Sequence, residues 1–186
     1  MLRVAFVCTG NRARSPLAAA LFERHAGPAA ADVRSYGVHT HEGLPPLKTA
    51  TTVAAHLGID LEQHRSRLLR NRCLVGTDLV VGFEEAHGAA AVEVGGASPE
   101  HVFLLLELPE LLEALSSRHT RDAIAELHRL RRSAGQRRRV AAVPDPVGEP
   151  EQVFAEAARV IDAVTGALAA AVLPARNAVS ALQPAR

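Results

Sequence analysis

The chain opens with an apolar run, residues 2–7 (LRVAFV), that passes without a break into Cys8-Thr-Gly-Asn-Arg-Ala-Arg-Ser15 and then into a helical pattern. A continuous, valine-containing run of this length reads as a strand buried on both faces, which parallel sheets require. Pro16 is expected at the first helical position, where its missing N–H needs no acceptor. Leu17, Ala20, Leu21 and Arg24 hold helical spacing until Gly27-Pro28 stops the helix. A buried strand, a short polar loop and a helix in direct succession already point to an α/β sheet.

The rest of the chain repeats the alternation. Residues 33–38, 78–81 and 101–106 read as further strands, and 47–57, 84–94, 110–115, 121–132 and 151–173 as helices. Gly58 suits the end of the second helix. The last helix carries Val153, Phe154, Ala157, Val160, Ile161 and Val164 on one stripe. Residues 143–149 (VPDPVGE) cannot be regular structure. The expected fold is therefore α/β, a single doubly wound four-stranded parallel sheet flanked by helices, with a phosphate-binding loop after the first strand. Residues 1–173 are expected to form one domain and 174–186 a flexible C-terminal tail.

Composition narrows the function classes. Lys+Arg is 21 against Asp+Glu at 20, so a globally basic nucleic-acid binder is disfavoured. Aromatics are 3% with no Trp, too few for a base-stacking surface. The two cysteines, Cys8 and Cys73, cannot build a disulfide framework or a four-cysteine zinc site, and they fit a reducing cytoplasm. The N-terminus does not read as a signal peptide, and the longest apolar stretch, near 167–173, is too short for a membrane span. The preference for Arg over Lys and the abundance of Ala read as a GC-rich, bacterial coding bias. Eight arginines lie between Arg118 and Arg139, either a solvated helix face and turn or a docking surface for an acidic partner.

Ligands of open α/β sheets bind beyond the carboxyl ends of strands, which is where Cys8 stands. Gly10 and Asn11 tolerate left-handed backbone, so the loop can turn its N–H groups inward as an anion nest. The helix start adds partial positive charge. Arg14 can grip two oxygens of a tetrahedral oxyanion with its planar fork, and Ser15 can donate to the sulphur. One loop thus offers a nucleophile, an oxyanion cradle and a charge clamp. Displacement at phosphorus also needs a proton for the leaving group. Asp145, between two prolines, is the candidate acid; spacing alone equally allows it to be the start of a turn.

These residues resemble the low-molecular-weight protein tyrosine phosphatases. Cys8-Thr-Gly-Asn-Arg-Ala-Arg-Ser-Pro16 is similar to that family's signature loop, and Asp145-Pro146 to its catalytic Asp-Pro. Ser35-Tyr36-Gly37, the stretch from Gly58 through His64 to Arg67, and Asp78-Leu-Val-Val follow in the family's order. The resemblance implies a hydrolase acting through a phosphocysteine: Cys8 as nucleophile, Arg14 as clamp, and Asp145 as acid and then base. Thr9, Gly10, Asn11, Arg12, Ala13 and Ser15 would complete the loop, with Ser15 stabilising the thiolate. Asn11 would hold the loop through Ser35 and His64. No cofactor and no metal are implied; His39 and His41 form a His-x-His pair without a further ligand nearby. The implied partner is a phosphorylated protein or a small phosphometabolite.

Four departures qualify the resemblance. Ala13 stands where the family often has a second cysteine, so Cys8 has no disulfide partner there, and Cys73 reads as a structural thiol. Arg12 replaces the pocket residue that is aliphatic for phosphotyrosine and threonine for phosphoarginine; it either recruits extra negative charge or points to solvent. Val147 follows the Asp-Pro, and the loop at 39–46 lacks the ring-clamping aromatics, a loss of about 0.5–1.5 kcal/mol per stacked pair. The segment before Asp145 is long and is expected to form an extra helix pair near the site. The alternatives are a phosphoarginine phosphatase, an arsenate reductase coupled to a low-molecular-weight thiol, and a non-enzymatic oxyanion binder.

Overall fold

Alternate residues of the first strand point to opposite layers. In a computed structural model, which describes residues 1–116, 120–134, 142–143 and 145–173, strand β1 (Leu2–Cys8) sends Leu2, Val4, Phe6 and Cys8 into one core and Ala5 and Val7 into another. Both faces are covered, as the unbroken apolar run requires. The tail at 174–186, together with Arg118 and Arg137 to Arg139, lies outside the described residues.

The four strands β1, β2 (Ala31–Gly37), β3 (Leu79–Gly82) and β4 (Val102–Leu104) are all parallel, in the order β2-β1-β3-β4. The chain runs from β1 outward to β2 and then crosses back to β3. β1 is therefore the switch point, and its carboxyl end opens between diverging connections.

Helix α1 (Arg14–Ala26) packs against the first face beside the long α6 (Glu151–Val172), with α2 (Lys48–His56) on the same side. Phe6 of β1 meets Phe22 of α1 with ring centroids 5.9 Å apart. Asp162 of α6 accepts from Arg24 at 2.8 Å and lies 2.7 Å from His25 Nε2, tying the end of α1 to α6. The opposite face is covered by α3 (Glu85–Glu93) and by irregular chain carrying Leu69 and Leu74. The double winding is thus lopsided: one helix and a loop do the work of a helical layer.

Two expectations change in detail. Pro16 is the third residue of α1, not the first. It still sits in the first turn, where its missing N–H removes no intrahelical bond. The extra helices exist as α4 (Leu108–Glu113) and α5 (Thr120–Ala134), but Arg131 of α5 docks on the edge strand β4, two strands away from β1 and Cys8. Its guanidinium donates to the carbonyls of Val102 and Pro99, lies 4.6 Å from the centre of the Phe103 ring and pairs with Glu107. At least this member of the arginine cluster is turned inward.

Candidate active site

Cys8 ends β1 with its side chain in the α1 layer, 2% exposed. Its sulphur is 2.9 Å from Ser15 Oγ and accepts the Asn11 N–H at 3.2 Å. The Asn11 N–H donates to the sulphur, and the Ser15 hydroxyl is placed within reach to do the same. Helix α1 begins at Arg14, with no side-chain cap and no acidic residue in its first turn. The positive end of its dipole is left facing the loop.

Asn11 is the pivot. Its φ of +51° is left-handed, a region asparagine tolerates better than most residues. Its Nδ2 donates to Ser15 Oγ at 2.9 Å and Ser35 Oγ at 2.8 Å, its Oδ1 accepts the Arg67 N–H at 2.7 Å, and its carbonyl lies 2.8 Å from His64 Nε2. A fully buried side chain thus joins the loop to β2 and to the segment around 64–67. Gly10, by contrast, does not use the left-handed region, and a Cβ there would meet nothing within 4 Å. The stricter glycine is Gly37, where a Cβ would lie 2.9 Å from Gly10 C and Thr9 O. The loop backbone rests directly on the end of β2.

Arg14 is 1% exposed, and both of its Nη nitrogens are bonded. Nη1 donates to Glu84 Oε1 at 2.5 Å and Val143 O at 2.9 Å; Nη2 donates to Thr9 Oγ1 at 3.0 Å and Asp145 Oδ2 at 2.7 Å. The guanidinium also lies 5.8 Å from the centre of the Phe83 ring. Val143 donates its N–H to Phe83 O, seating the loop before α6 on the end of β3 and bringing Asp145 to Arg14. A buried guanidinium without such partners would be strongly destabilising. Arg12 takes another course: its Nε donates to Pro45 O at 2.7 Å, so the side chain bridges to the loop beyond β2.

Two residues at the mouth escaped the sequence reading. Glu84 and His87 follow β3, whose end adjoins Cys8 only because β3 pairs with β1. Glu84 holds Arg14; His87 Nε2 lies 3.1 Å from Thr9 Oγ1. The available signal was position, since Glu84 stands just beyond the carboxyl end of a strand flanking the switch point. Burial pushes the His87 imidazole below the ordinary range, opposed mainly by Glu84. Burial likewise lowers His64, opposed by its bond to the Asn11 carbonyl. Among the described residues, no three His, Cys, Asp or Glu side chains gather as a metal site.

A family model described as low molecular weight phosphotyrosine protein phosphatase matches residues 3–112. The chain belongs to that family. The phosphatase family match spans β1 through most of α4 and includes the loop, Glu84 and His87. The chain is 32% identical over 108 residues to a probable low molecular weight protein-tyrosine-phosphatase, EpsP, of Ralstonia nicotianae, covering 58% of this chain and 71% of that one. It is 35% identical over 103 residues to a protein-arginine-phosphatase of Geobacillus stearothermophilus, covering 55% and 68%. The solved low molecular weight protein tyrosine phosphatase of T. tengcongensis superposes with a TM-score of 0.65 at 27% identity, covering 90% of this chain and 97% of that one. This phosphatase is therefore of the cysteine-dependent kind, on the four-stranded parallel sheet of its relatives.

Proposed function

We propose that the loop 8–15 holds the phosphoryl group of a phosphorylated protein side chain and that Cys8 removes it through a covalent intermediate. The observation that carries this reading is convergence: Cys8 and Arg14 belong to one loop, Asp145 comes from a distant stretch of chain, and Arg14 Nη2 joins Asp145 to the loop. The Cys8 thiolate attacks phosphorus, an S–P bond forms, and the bond from phosphorus to the side-chain oxygen or nitrogen breaks. Asp145 gives its proton to the departing atom, a contribution of about 100- to 10,000-fold. The carboxylate then takes a proton from water, the water oxygen attacks phosphorus, and the thiolate leaves with Ser15 Oγ donating to it. Inorganic phosphate is released and Cys8 is restored. Arg14 and the loop N–H groups carry the equatorial oxygens.

The substrate is a phosphoprotein; tyrosine and arginine remain the two chemistries to compare. Val147, two residues after Asp145, is 66% exposed and offers no ring, while Tyr36 is buried on the opposite face of the sheet. This favours a phosphorylated side chain that needs no aromatic clamp. A cytoplasmic setting is supported by the two free cysteines, Cys8 and Cys73; no described helix is long and apolar enough to cross a membrane.

The test is phosphate release, with EDTA present, from p-nitrophenyl phosphate, a phosphotyrosine peptide, a phosphoarginine peptide and small sugar phosphates. Cys8→Ser is expected to abolish all turnover. Turnover that survives Cys8→Ser, or none from any substrate, would overturn the reading. A parallel arm with arsenate and a low-molecular-weight thiol reads the arsenate reductase alternative.

A further inference from the structure

Thr9 Oγ1 stands where three side chains meet. Arg14 Nη2 donates to it at 3.0 Å, His87 Nε2 lies 3.1 Å away, and the same Arg14 nitrogen donates to Asp145 Oδ2 at 2.7 Å. A hydroxyl has two lone pairs and one hydrogen. Guanidinium only donates, so one lone pair is taken. The other contact depends on where His87 carries its hydrogen.

The surroundings of His87 decide that. The residue is 2% exposed, and its Nδ1 has no hydrogen-bond partner among the described residues. Glu84 Oε1 is 4.0 Å from Nε2, beyond hydrogen-bond reach. A hydrogen on Nδ1 would be an orphaned buried N–H, the rarer and costlier form of unpaired polar group. A hydrogen on Nε2 leaves Nδ1 as a bare lone pair and gives Thr9 a second donor. Both lone pairs of the hydroxyl are then occupied. Its own hydrogen has no acceptor among the described residues.

We propose that the Thr9 hydroxyl, locked as a donor by His87 and Arg14, gives its hydrogen to an oxygen of the tetrahedral oxyanion in the loop. His87 is then a positioning residue for a side-chain donor that supplements the backbone cradle. The inference rests on the reading of loop 8–15 as the phosphate site. The neutral ring, with one donor and one acceptor, is the form this arrangement uses. Burial favours it, Arg14 and His39 act in the same direction, and Glu84 and Asp145 oppose them.

Two measurements test the proposal. The first is competitive inhibition by inorganic phosphate, with kcat and KM on p-nitrophenyl phosphate, for Thr9→Val, Thr9→Ser, His87→Gln and His87→Ala. Thr9→Val is expected to weaken phosphate inhibition about tenfold or more, the usual effect of losing a hydrogen bond to a charged group. Thr9→Ser restores most of it, and His87→Gln, which keeps a donor, stays closer to the parent than His87→Ala. The second is the nitrogen NMR signature of the His87 ring in the unaltered protein, expected to show hydrogen on Nε2. Undiminished phosphate inhibition of Thr9→Val, or hydrogen on Nδ1, would overturn the proposal. Calorimetry of phosphate with the unaltered protein and with Cys8→Ser separates the two layers: binding to neither removes the phosphate-site reading and this inference with it.

Discussion

Ser15 Oγ lies 2.9 Å from Cys8 Sγ while accepting from Asn11 Nδ2, also at 2.9 Å. The serine hydrogen has a second acceptor, the Tyr36 carbonyl, at 3.3 Å. One rotation of a single bond therefore decides whether the hydroxyl donates to the sulphur or to the strand. A negative sulphur draws it, and that need is greatest when the thiolate leaves phosphorus. Ser15→Ala should slow breakdown of the phosphocysteine roughly 10- to 100-fold, from the loss of one hydrogen bond to a charged atom. Stopped-flow release of p-nitrophenol should then show a burst followed by a slow steady state.

Asp145→Asn should lower kcat on substrates with a poor leaving group by about 100- to 10,000-fold. Phenyl phosphate should suffer much more than p-nitrophenyl phosphate, whose phenolate leaves without help. Equal losses on the two would remove Asp145 from the role of acid. The comparison matters because Asp145 also pairs with Arg14, and loss of that contact alone would affect both substrates alike.

Gly37→Ala should damage the loop from outside. The added methyl would stand 2.9 Å from backbone atoms of Thr9 and Gly10, which cannot yield as a side-chain tip can. Overpacking of this kind costs about 1–3 kcal/mol. Urea titration should show that loss of stability, and phosphatase activity should fall even where the protein remains folded.

Stability should decline as the solution is acidified below the ordinary histidine value of 6.5, because burial lowers both His64 and His87 beneath it. Between the unfolded and the folded values the unfolded chain binds the proton and the folded chain does not. Unfolding free energy therefore falls as pH falls through that window, and above it these groups contribute no slope. Replacing His64 by Gln should flatten the dependence in chemical denaturation between pH 7 and pH 5, to about the extent of one proton.

The loop and its flanking elements were legible because their signals are local. An apolar run, a turn-forming pair and helical spacing all fall within residues 2–24, and Cys8 to Ser15 occupy one end of that unit. Glu84 and His87 were hidden because their proximity to Thr9 and Arg14 arises from parallel pairing of β1 with β3, a relationship that no stretch of sequence contains. The seating of Asp145 was hidden for the same reason: it depends on the backbone bond from Val143 to Phe83 and on the bond from the Arg14 guanidinium to the Val143 carbonyl. Arg131 was read by composition, as one of a crowd of charges. Its aliphatic stem and planar head let it reach inward to carbonyls and a ring.

That arginine has a consequence for how molecules of this protein meet. The sheet ends at β4 on one side and at β2 on the other, and a bare strand edge is a template on which another chain can add a strand. At β4 the template is three residues long, and the carbonyl of Val102 is already occupied by Arg131. At β2, Asp32 and Arg34 place a charged pair along the margin. Removing the Arg131 guanidinium should therefore do more than loosen a helix: it would uncover the shorter margin and turn a guarded sheet into one open to lengthening between molecules.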